Sequence, residues 1–108
     1  MTVENLANSD KLRLLTDGLD LSAEISTPFC CDLLSIAMGK APAGAAWVTV
    51  TVNTNTLAVA TLTDVSCIIF AEGCAVDSAL IEKAKEEEIP LFATDLSSFD
   101  AALLAYTK

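Results

Sequence analysis

The stretch WVTVTVNTNTLAVATLTDVSCIIFAEG, Trp47 to Gly73, decides the fold. Val48, Val50 and Val52 alternate with Thr49 and Thr51, the period-2 pattern of a strand with two unlike faces. Asn53-Thr54-Asn55-Thr56 then supplies turn formers and N-cap candidates, whose side-chain oxygens accept the orphan N–H groups of a first helical turn. Leu57, Ala58, Val59, Ala60 and Leu62 carry the helix onward. Cys67 to Phe70, CIIF, is wholly apolar and reads as a short strand buried on both faces. A strand–helix–strand unit with such a strand implies a layered α/β domain with helices on a mostly parallel sheet. An open sheet of that kind places its ligand crevice beyond the carboxyl ends of its strands.

Working outward, Val3 to Asn8 reads as a short helix capped by Thr2, and Lys11 to Leu15 as an edge strand closed by the turn Thr16-Asp17-Gly18. Glu24 to Thr27 is a second strand candidate, stopped by Pro28. Asp32 to Met38 reads as a helix with Asp32 as N-cap and Gly39 as its stop, followed by the loop Lys40 to Ala45. Asp77 to Glu88 is an amphipathic helix with Leu80, Ile81 and Ala84 inward, and Glu86-Glu87-Glu88 is a solvated end. Pro90 to Thr94 is another buried strand. Asp95 to Ser97 caps a last helix through Tyr106, with Phe99, Leu103 and Leu104 expected in the core. No repeat or linker divides the 108 residues, which read as one domain over 1–108.

Composition excludes several functions. Net charge is −9, from 15 acidic and 6 basic residues, which opposes nucleic-acid binding because no basic face is available to neutralise phosphates. Thr, Ser, Asn or Asp interrupts every hydrophobic stretch before membrane-spanning length, and MTVENLANSDK lacks the basic start and apolar core of a signal peptide, so a cytoplasmic location is expected. With 53% hydrophobic residues and a mean hydropathy of +0.52, a chain this short exposes apolar surface that a second copy would cover, and a homodimer is expected. Cys30, Cys31, Cys67 and Cys74 lack CxxC spacing, and the chain has no histidine, so no metal site and no cofactor are expected. Cys67 reads as a small buried hydrophobe, whereas Cys30, Cys31 and Cys74 lie nearer loops, and their redox role stays open. Nucleophilic catalysis would lack a histidine base, so no catalytic residues are assigned.

Two kinds of site remain. A ligand pocket at the strand ends would use Asn53, Thr54, Asn55 and Thr56, with Glu72, Gly73, Thr94 and Asp95, the N–H groups opening the helix after Asn55 holding one anionic group. Each of these residues also has an ordinary reading as a cap or turn former. A protein interface would use Phe29, Met38 and Trp47, with core packing the alternative for Phe29 and Trp47. A sensor needs a polar, enclosed crevice, whereas an interaction module needs a flat apolar patch.

With its elements placed, the chain resembles the DRTGG domain family from about Val3 to Tyr106. The resemblance rests on Asp32-Leu33-Leu34-Ser35 with Met38-Gly39-Lys40-Ala41, then Trp47-Val48-Thr49-Val50 and Asn55-Thr56-Leu57-Ala58-Val59-Ala60. Cys67-Ile68-Ile69, Lys83-Ala84 and Ile89-Pro90-Leu91 complete it. The family is similar in fold to the N-terminal domain of HPr kinase/phosphorylase. Its members occur alone, beside CBS-domain pairs and phosphotransacetylases, or near iron-only hydrogenase genes. The resemblance therefore implies a regulatory or accessory module rather than a catalyst, with a hydrogenase or an enzyme of acetyl-phosphate metabolism as partner by family context. Kinase activity is not implied, because no GxxxxGK[ST] phosphate loop occurs. At the family's naming step this chain reads Asp20-Leu21-Ser22-Ala23-Glu24, so any anion contact made by the relatives' arginine is missing at Leu21.

Overall fold

The computed structural model describes residues 1–106. Its elements run α1 (Val3–Ala7), β1 (Arg13–Leu14), β2 (Pro28–Cys30), α2 (Leu34–Lys40), β3 (Ala46–Thr49), α3 (Thr54–Thr63), β4 (Cys67–Phe70), α4 (Ser78–Glu86), β5 (Leu91–Ala93) and α5 (Ser98–Ala105). The five strands form one sheet in the order β1-β5-β4-β3-β2, with β1 antiparallel to β5 and every other pair parallel.

Alternation along the strands sorts the core into two layers. Trp47, Ile68, Phe70 and Leu91 point to one face, where Ala37 of α2, Leu57 and Ala60 of α3, and Leu80 and Ala84 of α4 cover them. Ala46, Val48, Cys67, Ile69 and Phe92 point to the other, under Val3 and Leu6 of α1 and Ala101 and Ala105 of α5. Register aligns like with like, Trp47 opposite Ile68 and Ile68 opposite Leu91. Because β2, β3, β4 and β5 step across the sheet in one direction, the right-handed crossover rule sends α2, α3 and α4 to a single face. The start and end of the described chain cover the other.

Several sequence expectations are corrected here. The second strand is Pro28–Cys30 rather than Glu24–Thr27, and Pro28 opens it instead of stopping it. Proline is tolerated as the first residue of an edge strand, where its missing N–H breaks no ladder. β3 ends at Thr49, so Val50 and Val52 lie beyond it. Helix α2 starts two residues later than expected, has Leu33 without a side-chain cap, and runs through Gly39. Phe99 and Leu103 are 69% and 53% exposed, because Ala101 and Ala105 are the α5 residues that meet the sheet. Among the described residues, no helix is long and apolar enough to cross a membrane.

Candidate functional site

The loop after β4 leads to α4 on one face, and the loop after β5 leads to α5 on the other. Diverging loops at adjacent carboxyl ends are the condition for a crevice. Glu72 and Gly73 of one loop and Thr94 and Asp95 of the other do come together there, as the sequence implies. The gap between them is closed by the chain itself. Glu72 N–H donates to the Leu96 carbonyl (2.8 Å), Gly73 N–H to the Thr94 carbonyl (3.0 Å), and Ser98 N–H to Glu72 Oε2 (3.0 Å). Glu72 and Gly73 both take left-handed backbone, φ 63° and 69°, which folds the loop tightly over β5. A Cβ on Gly73 would lie 3.3 Å from Asp95 Oδ1.

Asn53, Thr54, Asn55 and Thr56 stand apart at the start of α3, with no hydrogen bond to that pair of loops among the described residues. Asn53 Oδ1 accepts from Asn55 N–H (2.8 Å), and Thr56, fully buried, donates from Oγ1 to the Thr51 carbonyl (2.7 Å). Thr94 is also internal, its Oγ1 donating to the Lys11 carbonyl (2.7 Å) and accepting from Leu96 N–H (3.2 Å). Asp32, expected as a helix cap, instead ties off β3. Its Oδ1 accepts from Thr49 Oγ1 (3.0 Å) and Val50 N–H (2.9 Å), while Thr51 Oγ1 donates to its carbonyl (2.8 Å).

Of the interface candidates, Trp47 is corrected: it is fully buried, with its indole N–H donating to the Cys31 carbonyl (2.9 Å). A central strand flanked by β2 and β4 leaves it no route to the surface. Phe29 is half-buried and packs against the Trp47 layer, while Met38 is 54% exposed. The cysteines are all free thiols. Burial pushes Cys67 up to about 12, and burial with the nearby Asp32 charge raises Cys30 as well. Asp20-Leu21-Ser22-Ala23-Glu24 lies away from the carboxyl ends. Glu4 N–H donates to the Leu21 carbonyl (2.9 Å) and Ser66, just before β4, to the Glu24 carbonyl (2.7 Å), which places the stretch at the amino ends.

Two surfaces escaped the sequence. Lys11 and Arg13 join Asp10, Thr94, Asp95 and Leu96 around an open depression of about 520 Å³. Its walls lie some eighty residues apart in sequence and meet only because β1 pairs with β5, Arg13 opposite Ala93. The second is apolar. Leu33, Ile36 and Met38, in or beside α2, and Phe99, Leu103 and Tyr106, in or beside α5, are exposed, leaving Leu62 on α3 as the remaining large exposed hydrophobic among the described residues. Helix α5 overlies β2 and β3. The first turn of α5 lies against β2, where Cys30 Sγ lies 4.0 Å from the Ser98 carbonyl.

No protein-family model matches the sequence, and no curated protein does. Among solved structures, the chain is similar to the CBS and DRTGG domains of the regulatory region of Clostridium perfringens pyrophosphatase, complexed with its activator diadenosine tetraphosphate. The TM-score is 0.72 at 16% identity, covering 96% of this chain and 45% of that one. The chain thus spans under half the length of its neighbour. Five strands in this order with helices on both faces, matched over nearly the whole chain, give it a DRTGG-like α/β fold.

Proposed function

We propose that this chain is a non-catalytic regulatory or accessory module that works as a homodimeric protein-interaction domain. One observation carries the reading: six exposed large hydrophobics sit on the two helices that flank the free β2 edge. Charge is nearly absent from the same helices, since residues 33–41 contain only Lys40 and residues 98–106 only Asp100. In a chain of net charge −9 that depletion is the compositional mark of an interface core. A two-fold pairing would bring this edge against its own copy with little like-charge repulsion. The structural neighbour belongs to a regulatory region, which supports the regulatory part of the reading. Sedimentation across micromolar concentrations tests it. A monomer–dimer equilibrium is expected, and a chain that stays monomeric throughout refutes it.

A second reading, a small-ligand sensor, is favoured by the depression at β1 and β5 and by the nucleotide activator held by the neighbour. The closed gap between Glu72–Gly73 and Thr94–Asp95 counts against the strand-end version of that site. Thermal-shift titration with adenine and guanine nucleotides tests it, since ligand at a hundred times its dissociation constant stabilises by about 2.7 kcal/mol.

A further inference from the structure

Opposite the apolar β2 edge, the β1 edge carries the chain's sole arginine. Arg13 opens β1 and Lys11 lies in the turn just before it; both are exposed and line one depression, while Leu12 between them is buried. Lys83, Lys85 and the amino terminus each have a carboxylate partner, whereas among the described residues neither Lys11 nor Arg13 has one. The two cations remain unpaired although Asp10 and Asp95 line the same depression of about 520 Å³. A second depression, of about 410 Å³, shares Lys11 and Leu96 and continues to Leu104 on α5.

We propose that the β1–β5 depression binds a phosphate monoester, with the phosphate on Lys11 and Arg13 and the organic body lying along Leu96 toward Leu104. The inference rests on the sensor reading and moves its site from the start of α3 to the edge of the sheet. Two cations match a dianionic phosphate better than a single carboxylate, and the guanidinium fork grips two phosphate oxygens at once. The volume falls within the range of small-molecule sites. Asp10 and Asp95 accept hydrogen bonds from ligand hydroxyl or amino groups, and their charge disfavours longer polyphosphates. Edge strands also carry lysine and arginine simply to discourage pairing with other chains. That role produces no saturable binding.

Calorimetric titration of the full chain separates these cases, with a nucleoside monophosphate as the probe that joins a phosphate monoester to a flat body. The unphosphorylated nucleoside and inorganic phosphate are its controls. Saturable binding of the monophosphate is expected, weaker binding of phosphate and none of the nucleoside. Arg13→Ala and Lys11→Ala should each weaken binding about tenfold without changing Tm, and added salt should weaken it further. Loss of binding in Asn55→Ala with Arg13→Ala unaffected overturns this site but leaves a sensor at α3. No binding by any probe overturns both, leaving the two cations as guards of the edge.

Discussion

Truncating Phe99 tests the proposed interface most directly. Phe99 is 69% exposed in the first turn of α5, whose Ser98 carbonyl lies against β2, so a second copy docked there would cover it. An aromatic side chain carries roughly 150–250 Å² of surface, so Phe99→Ala removes on the order of 100 Å² of apolar area from each protomer. At about 25 cal/mol per Å² that is ~2.5 kcal/mol per protomer, or ~5 kcal/mol in a two-fold dimer. One decade of affinity corresponds to 1.4 kcal/mol, so self-association should weaken by about 3.5 decades, several thousandfold. The monomer should not suffer, because exposed substitutions cost within about 0.5 kcal/mol and alanine favours helix. Sedimentation equilibrium gives the dimer constant, and thermal melting of dilute protein gives monomer stability. Leu62→Ala is the matched control, an equally exposed apolar residue on α3. Equal dimer constants for wild type and Phe99→Ala, or equal losses from Phe99→Ala and Leu62→Ala, would refute the placement at β2.

Asp32→Ala removes the acceptor of Thr49 Oγ1 and Val50 N–H and strands a fully buried hydroxyl, so urea unfolding should show a loss of about 1.5–3 kcal/mol. Asp32→Asn keeps an oxygen there and should lose much less; equal losses contradict the role. Glu72→Ala loses the carboxylate at the start of α5 at a cost of about 1 kcal/mol. Glu72→Gly should be more stable than Glu72→Ala, since φ 63° suits glycine, and the reverse order counts against the strained turn. Cys67 ionises near 9.0 when unfolded and at about 12 when folded, so its contribution is complete below 9.0 and lost as pH rises toward 12. The loss reaches ~4 kcal/mol at most, at 1.4 kcal/mol per unit, and Cys67→Ala should flatten the alkaline decline in Tm. An unchanged slope would mean the thiol is not sealed in. Asp17 is held below the ordinary carboxylate range by its hydrogen bond from Lys85, so that exposed pair helps above the unfolded value and fades as pH falls through the folded one.

The layers of the fold were legible because periodicity and capping are local. CIIF is β4 to the residue, Asn53 and Asp77 cap the helices that follow them, and Thr2 closes a capping box with Asn5. Errors fell where tertiary pairing overrides local preference. Glu24 reads as strand but makes one isolated bridge to Thr2, while Pro28, a local breaker, pairs with Ala46 because β2 is an edge. Asp32 carries every mark of an N-cap, yet the end of β3 offers it two donors, the buried Thr49 hydroxyl and the Val50 N–H, that compete for its carboxylate. Phe99 and Leu103 read as core because size and hydropathy are visible in sequence, whereas the close approach that selects Ala101 and Ala105 is not.

The same misreading links the two proposed surfaces. A sheet of four parallel strands and one antiparallel edge strand has two unlike edges, and hydropathy summed along the chain cannot say which edge carries the excess. Residues 98–106 contain one charge among nine positions, and the burial of Ala101 and Ala105 turns Phe99 and Leu103 outward. At the far edge β1 is antiparallel and only two residues long, too short to be buried on both sides, so it can carry Arg13 without desolvating it. Self-association through Ile36, Met38 and Phe99 would leave Lys11 and Arg13 uncovered in both copies, although Leu103 of the same apolar surface also lines the neighbouring depression. A ligand whose body reaches Leu104 would touch α5 directly, and the Glu72–Ser98 contact gives a second connection from the strand ends into the same helix. Glu72→Ala should then weaken the coupling: phosphate-ester affinity and dimer constant each persist, while the change of one caused by the other shrinks. Coupling of undiminished size in Glu72→Ala would show that the connection runs through Leu103 and Leu104 instead.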